Sequence, residues 1–458
     1  MRPPEAGGIS ARELRKKFGD RFIDDPSFLS LYSREASFEE ASAGPLGVVF
    51  PTSEEEVLWL VRWAYETETP IFSQGSATSL SGNTVMTKPG IVVSFERMNK
   101  IIEVNPTDSY AAVQPGIRLE ELNVELSRYG VFFPVDPGSV RSATVGGAIA
   151  NGAGGMRGAK YGAMRDWVLG LDVVTGRGDL LKIGCRTLKC RNGYDLVRLV
   201  VGSEGTLGLV TEAILRIAPM PESAAAVLIY YDDLPTLVED VVRVRAARVW
   251  PLFAEFLGPA ESREVGLEER YSLFLGVDVN KGAERDMLNR LKGLVRGAVA
   301  REALGLDSSM DLLEPRRKLF SAQVALMQRQ LGSEGLLIIE DIVVPVSKLP
   351  EAVRRVVDLA ERLEIPLSLG GHVGDGNLHP TTWFKRGDAE GARRARAFIE
   401  GLGKIAVGLG GSVSAEHGIG TLKRDLLRME LAPTVLEYMK ALKSIFDPKG
   451  ILNPGKIL

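Results

Sequence analysis

A chain of 458 residues has room for about two to four domains. Its 45% hydrophobic and 25% charged residues are those of an ordinary globular protein that buries a large core without staples. With 56 basic against 59 acidic residues and a net charge of −3, it lacks the basic excess of a dedicated nucleic-acid binder. No apolar run approaches the roughly 18–20 residues needed to span a bilayer.

The opening residues 1–8 lack the apolar core of a signal peptide, so cytoplasmic residence is the expectation, at most peripheral at a membrane. Ser10-Ala11-Arg12-Glu13 reads as a capping box opening a short helix near Leu14 and Phe18. A buried strand over 46–50 ends at Pro51, and Thr52-Ser53 caps a helix with an apolar face of Val57, Leu60, Val61 and Ala64. Strands follow at 70–72, 91–95 and 111–116, and a helix at 119–129. Alternating short strands and helices to about residue 217 predict an α+β architecture. Pro219-Met220-Pro221 interrupts the pattern and marks a domain boundary.

Beyond it, the pattern predicts strands at 225–231, 253–257, 271–279 and 336–345. Helices are expected at 234–247 and 349–363, with a long charged one at 283–303. That order predicts an antiparallel sheet covered by helices on one face. Cys185 and Cys190 are the only cysteines. Two thiols cannot hold an iron–sulfur cluster alone, and reduced thiols near a strand end are expected, with a disulfide or half a metal site as the alternatives.

Glycine is the compositional outlier, at 50 residues, and it clusters. Three small-residue loops stand out: Gln74 to Asn83, Thr144 to Gly155, and Gly202 to Gly208. Backbone N–H groups in such loops suit a pyrophosphate. None matches the dinucleotide G-x-G-x-x-G or the nucleotide P-loop, so a different phosphate-bearing cofactor is expected.

The three histidines all sit in the last quarter, two in Gly370-Gly371-His372-Val373-Gly374-Asp375-Gly376-Asn377-Leu378-His379 and one in Glu416-His417-Gly418. Asp375-Gly376 is a preferred pair for a two-residue hairpin turn, a register that sets His372 opposite His379 on one face. Two imidazoles there can share a metal, with Glu416 as third ligand and His417 left as a free base beside an open coordination position. Two histidines and a carboxylate fit zinc, with iron(II) and manganese(II) as alternatives. Asn377 reads as structural.

These pieces resemble the flavoproteins of the vanillyl-alcohol-oxidase and p-cresol-methylhydroxylase family, in the D-lactate, glycolate and D-2-hydroxyglutarate dehydrogenase branch. The motifs that carry the resemblance are Ala143-Thr144-Val145-Gly146-Gly147 with Asn151-Gly152-Ala153-Gly154-Gly155, Gly193-Tyr194-Asp195-Leu196 with the 202–208 loop, both histidine segments, and the tail from Phe446 to Lys456. The resemblance spans roughly residues 40 to 458. It implies an FAD-binding domain of two α+β subdomains over 1–218, a substrate-binding cap over 219–425, and a segment over 426–458 that returns to the FAD domain.

By resemblance, Gly75, Ser76, Ala77, Thr78 and Ser79 hold the FAD pyrophosphate. Pro137, Gly138, Ser139, Thr144, Gly147, Asn151 and Gly154 line the cofactor. Glu204, Gly205 and Val210 sit by adenine and flavin, with Asn453 near the flavin. Gln74 and Ala77 depart from the arginine and glycine usual in the family. Relatives with covalent flavin use a histidine of the first domain, and no histidine precedes His372 here, so dissociable FAD is expected.

In Leu313-Glu314-Pro315-Arg316-Arg317-Lys318 a helix-breaking proline is followed by a basic cluster. The family places Trp-x-x-Arg there, and Arg316 takes the position of the arginine that binds the substrate carboxylate, with Leu313 in place of the tryptophan. The resemblance implies oxidation of a small D-2-hydroxy acid, with the metal acidifying the hydroxyl, His417 taking its proton and the Cα hydride passing to flavin N5. Alternatives are an alkylglycerone-phosphate-synthase-like flavoenzyme and a flavin subunit that needs an iron–sulfur partner. The electron acceptor stays open among a quinone, a flavoprotein, a cytochrome and an iron–sulfur subunit. Oligomeric state is open too, a homodimer included.

Overall fold

The computed structural model describes residues 10–39 and 41–458. The expectation for residues 1–8 and the Ser10 cap side chain lie outside the described residues. Two compact units are built from interleaved segments, one from 1–153, 163–219 and 417–458, the other from 154–162 and 220–416.

The first unit carries two larger sheets and a two-stranded one that pairs Val131–Phe132 with Ala218–Pro219. In one, Pro45–Val49, Gly90–Ser94 and Ile71–Gln74 run parallel, and Phe22–Ile23 adds an antiparallel edge. The helix Glu54–Thr67 begins where Ser53 accepts a hydrogen bond from the Glu56 N–H. Three glutamates in its first turn complement the helix dipole, and Val57, Leu60, Val61 and Ala64 are buried as the spacing predicts. The chain end returns here: Ile71 N–H donates to Ile451 O at 2.8 Å and Asn453 N–H to Ile71 O at 2.8 Å. Lys443 clips that tail by donating to Thr206 O at 2.7 Å and Leu452 O at 2.9 Å.

The other larger sheet is antiparallel throughout, in the order Ile101–Asn105, Tyr110–Val113, Leu209–Arg216, Val168–Val174, Leu180–Gly184. Just past its last strand the two cysteines depart from the expectation of reduced thiols. The chain turns back over 185–190 and brings their Cα atoms to 6.2 Å, within the span a disulfide bridges, and the two sulfurs are bonded.

The second unit is built on one antiparallel sheet of eight strands. Its order is Ala298–Leu304, Ser223–Tyr231, Tyr271–Val279, Phe253–Leu257, Ser368–His372, Asn377–Lys385, Gly335–Ile339, with Ile342–Val343 also paired to Asn377–Lys385. On one face Leu234–Ala246, Leu349–Arg362 and Ala389–Gly408 bury Leu237, Val241, Val356 and Phe398 against Val227, Ile229 and Leu275. Helices cover the other face as well, where Leu313 and Leu319 pack on Ala226, Leu228 and Phe274. Ser223–Tyr231 is buried at all nine positions, which two-sided cover explains.

The helix expected over 283–303 stops at Leu294, and 298–304 is an edge strand. Gly293 and Gly297 weaken the helix there, and pairing with Ser223–Tyr231 gives the segment its hydrogen bonds. Pro315 does not break its helix: Leu306–Arg317 runs through it and ends two residues later, before Leu319–Leu331 begins.

Candidate functional site

The histidine hairpin forms, with a different register from the one expected. Gly370 lies opposite His379, Leu369 opposite Pro380 and Ser368 opposite Thr381. The turn therefore spans four residues, 373–376, instead of two. Tertiary contacts decide this. His372 pairs with Glu255 of the neighbouring strand, and Gly374 N–H donates to Ala254 O at 3.2 Å. Gly376 has φ +93° and lies so close to Val344 O that a Cβ would stand 2.0 Å from it. A shift of two residues preserves facing, so both histidines still point the same way, their rings 4.9 Å apart and nearly perpendicular.

Both Nε2 atoms converge on one carboxylate oxygen. Glu416 Oε1 is 3.0 Å from His372 Nε2 and 3.3 Å from His379 Nε2. Ligand atoms about 3.3 Å apart are what a tetrahedral zinc ion imposes. The two Nδ1 atoms face carboxylates in turn: Glu255 lies 2.8 Å from His372 Nδ1, and Asp341 Oδ1 3.9 Å from His379 Nδ1. A carboxylate hydrogen-bonded to an imidazole, as Glu255 is to His372, fixes its tautomer and raises its basicity. All ligand atoms of His372, His379 and Glu416 lie within 4.8 Å of one another, and the donor chemistry fits a divalent cation.

Asp341 also sets the loop that carries Glu416. Its Oδ2 accepts from Ser414 Oγ at 2.9 Å, Ala415 N–H at 2.7 Å and Glu416 N–H at 3.0 Å, while Oδ1 accepts from Asn377 Nδ2 at 2.6 Å. Asn377 is thereby a structural part of the site. Behind Glu416 stands Gly154, where a Cβ would be 2.9 Å from Oε2.

The charges are strongly coupled. Burial alone would lower the His372 pKa, but the Glu255 and Glu416 carboxylates hold it well above the usual histidine range. Burial would likewise raise Glu416, yet the two imidazoles, His372 foremost, hold it well below the usual carboxylate range.

Arg316 joins this group through Glu255. Its Nη2 lies 3.0 Å from Glu255 Oε2, with both side chains buried. Its Nε is buried without a hydrogen-bond partner. Lys318 is exposed, and Arg317 pairs with Glu314 at 3.3 Å. His417 follows Glu416 directly and is the first residue of the last segment of the other unit.

Glu255 and Asp341 escaped the sequence reading. A signal was there: Glu255 is a lone carboxylate in the apolar stretch Phe-Ala-Glu-Phe-Leu, and Asp341 with Glu340 is flanked by apolar residues in Ile-Ile-Glu-Asp-Ile-Val, all three buried. A charge so placed needs a buried partner.

In the first unit, the expected cofactor residues fall into neighbouring loops. Gly75, Ser76, Ala77, Thr78 and Ser79 form an irregular loop, and Ser76 Oγ donates to Ser142 O at 2.6 Å. Pro137, Gly138 and Ser139 open the turns that lead to Thr144, whose hydroxyl caps the helix Val145–Asn151 by accepting from Gly147 N–H at 3.2 Å. Ala77 has φ +51°, in the left-handed region that glycine adopts without a Cβ penalty. Gln74 Oε1, Ser81 Oγ and Asn453 Oδ1 are buried without a hydrogen-bond partner around these loops, an unmet demand that suits a polar, phosphate-bearing cofactor.

Glu204 and Gly205 lie between the helix Leu196–Val200 and the strand Leu209–Arg216, on which Val210 is buried opposite Val173. The Glu204 carboxylate accepts from Ile419 N–H at 2.6 Å and Gly420 N–H at 2.9 Å, and Asn453 Nδ2 donates to Glu204 O at 2.6 Å. Gly154, expected with the cofactor residues, belongs to the unit that holds Glu416.

Comparison with known proteins matches residues 45–184 to an FAD binding domain and residues 220–457 to the C-terminal domain of FAD linked oxidases. The chain is 36% identical over 451 residues to the glycolate oxidase subunit GlcD of Bacillus subtilis, covering 96% of this chain and 94% of that protein. It is 36% identical over 415 residues to a D-lactate dehydrogenase of Archaeoglobus fulgidus, covering 90% and 91%. Among solved structures, p-cresol methylhydroxylase with substrate bound shares the fold at TM-score 0.79 and 16% identity, covering 98% of this chain and 96% of that one. With matches on both sides of the boundary at Pro219 and two such relatives along nearly its whole length, the chain belongs to the FAD-linked oxidases, a family of flavin-dependent oxidoreductases.

Proposed function

We propose that this chain oxidises a small D-2-hydroxy acid, of the lactate or glycolate kind, to the 2-oxo acid, with dissociable FAD and a divalent metal, best matched by zinc. FAD is assigned to the unit holding the 75–79 and 137–147 loops, and the substrate-binding role to the 220–416 unit. The observation that carries the reading is the convergence of both Nε2 atoms on Glu416 Oε1, each imidazole backed by a further carboxylate.

FAD, when bound, supplies the two-electron acceptor for the hydride that leaves Cα. A divalent cation held by His372, His379 and Glu416 would supply Lewis acidity toward the substrate hydroxyl. The remaining work belongs to the chain. Arg316 binds the substrate carboxylate through its guanidinium fork, whose buried Nε has a donor to offer. His417 accepts the hydroxyl proton as the C–H bond breaks. Asp341 holds the Glu416 backbone in place.

The deciding experiment mixes the purified flavoprotein anaerobically with D-lactate, L-lactate, glycolate and D-2-hydroxyglutarate. Loss of oxidised-flavin absorbance is expected with a D-acid or glycolate, abolished by chelation and restored by zinc. Flavin that stays oxidised with all four, while metal and FAD are bound, rejects the reading. Flavin retained by the polypeptide after acid precipitation rejects dissociable FAD.

A further inference from the structure

We propose that Glu255 is a positioning residue that couples the metal centre to recognition of the substrate carboxylate, an inference that rests on the function proposed above. Glu255 has no solvent exposure, so its charge is balanced entirely by what it touches. Two groups share it: His372 Nδ1 at 2.8 Å from both oxygens, and Arg316 Nη2 at 3.0 Å from Oε2. The same carboxylate thus holds the N–H of a metal-ligating imidazole and one edge of the arginine assigned to the substrate. Arg316 itself is only 6% exposed, and its Nε lacks a partner. A buried unpaired donor beside a half-neutralised guanidinium is a place for a second anion.

The consequence is a linkage with a definite sign. When an external carboxylate engages Arg316, the arginine's positive charge is shared between two anions. Glu255 is then a stronger acceptor toward the His372 N–H, and the imidazole becomes a better donor at Nε2. Carboxylate binding should therefore tighten metal binding, and metal binding should tighten carboxylate binding by the same factor. Substrate and metal would assemble cooperatively through one side chain that touches neither.

The test measures zinc affinity of the intact flavoprotein by competition with a chelating dye, with and without saturating propionate. Propionate has a carboxylate and no α-hydroxyl, so it cannot chelate the metal as a substrate would. Wild-type protein is expected to bind zinc about fivefold or more tightly in propionate. Glu255→Gln keeps the shape and removes the charge. It should weaken zinc about 10–100-fold, as loss of a carboxylate behind a ligand does, and should erase the propionate effect. Arg316→Leu should erase the propionate effect as well, and it carries the test alone if Glu255→Gln does not fold. Unchanged zinc affinity in Glu255→Gln, an equal propionate effect in either variant, or none in wild type overturns the coupling. Wild-type protein that binds no zinc at all would instead reject the metal assignment on which the coupling depends.

Discussion

Glu416 is held on three sides by particular atoms, and that makes its neighbourhood unforgiving. His372 and His379 meet its Oε1, and Gly154 stands where a Cβ would be 2.9 Å from Oε2. Gly154→Ala must push the carboxylate aside or shift the 154–162 backbone. We expect it to weaken zinc by about tenfold, measured by dye competition. His379→Gln removes a proposed ligand, and bound metal should fall below detection after gel filtration, with turnover lost at least 100-fold. Retention of stoichiometric metal in that variant would reject His379 as a ligand. Scarcity and glycine framing set the three histidines and Glu416 apart in the chain, which made them legible as candidates. Glu255 and Asp341 show only as charges beside apolar residues, because their partners lie 117 and 75 residues away and no local pattern reports such a distance.

Elements were readable wherever one face is apolar and a cap or proline marks the end. Phe253–Leu257 and Tyr271–Val279 fall where the pattern places them, and Leu234–Ala246 ends within a residue. The failures share a cause. The 283–303 stretch carries helical charge spacing throughout, yet its second half gains a ladder by joining the edge of the sheet. The hairpin took a four-residue turn because Glu255 and Ala254 on the adjacent strand fix its register, and turn propensity alone cannot see that strand. The loop bearing Glu416 depends likewise on one distant group, the Asp341 carboxylate. Asp341→Asn replaces an acceptor oxygen by a donor amide, leaving at least one of the Asn377, Ser414, Ala415 and Glu416 donors unmet. Each orphaned donor costs about 1–3 kcal/mol. Differential scanning calorimetry should show a loss of roughly 2–4 °C per kcal/mol in the transition of that unit, together with weaker zinc binding. An unaltered transition would mean that water satisfies the loop.

At the scale of the whole molecule, the chain crosses between its units repeatedly, so each is closed by contacts between segments distant in sequence. The division between the units at residues 219 and 220 falls within Pro219-Met220-Pro221. The short 154–162 excursion and the crossing at Glu416 and His417 carry no such mark. Within the first unit the clasp is Glu204, whose buried carboxylate holds the turn at Ile419 and Gly420 onto the segment that also receives Asn453. No helix among the described residues is long and apolar enough to cross a membrane. Burial raises the Glu204 pKa from 4.5 to about 7, against the lowering effect of the Ile419 and Gly420 N–H groups and Asn83. A carboxyl raised on folding binds more protons in the folded state between those two values. Stability therefore falls as pH rises from 4.5 through about 7 and levels off above. The full difference corresponds to about 3 kcal/mol. Lys456 moves the opposite way, lowered by burial from 10.5 to about 8, so its own contribution is a gain as pH rises through that higher window and leaves the lower one unaffected. Urea titrations at pH 5 and pH 8 should thus show wild-type protein more stable at pH 5 by an amount that Glu204→Gln, which has no proton to exchange, removes. Equal pH dependence in the variant would place the titrating group elsewhere and leave Glu204 as a clasp without a charge to regulate it.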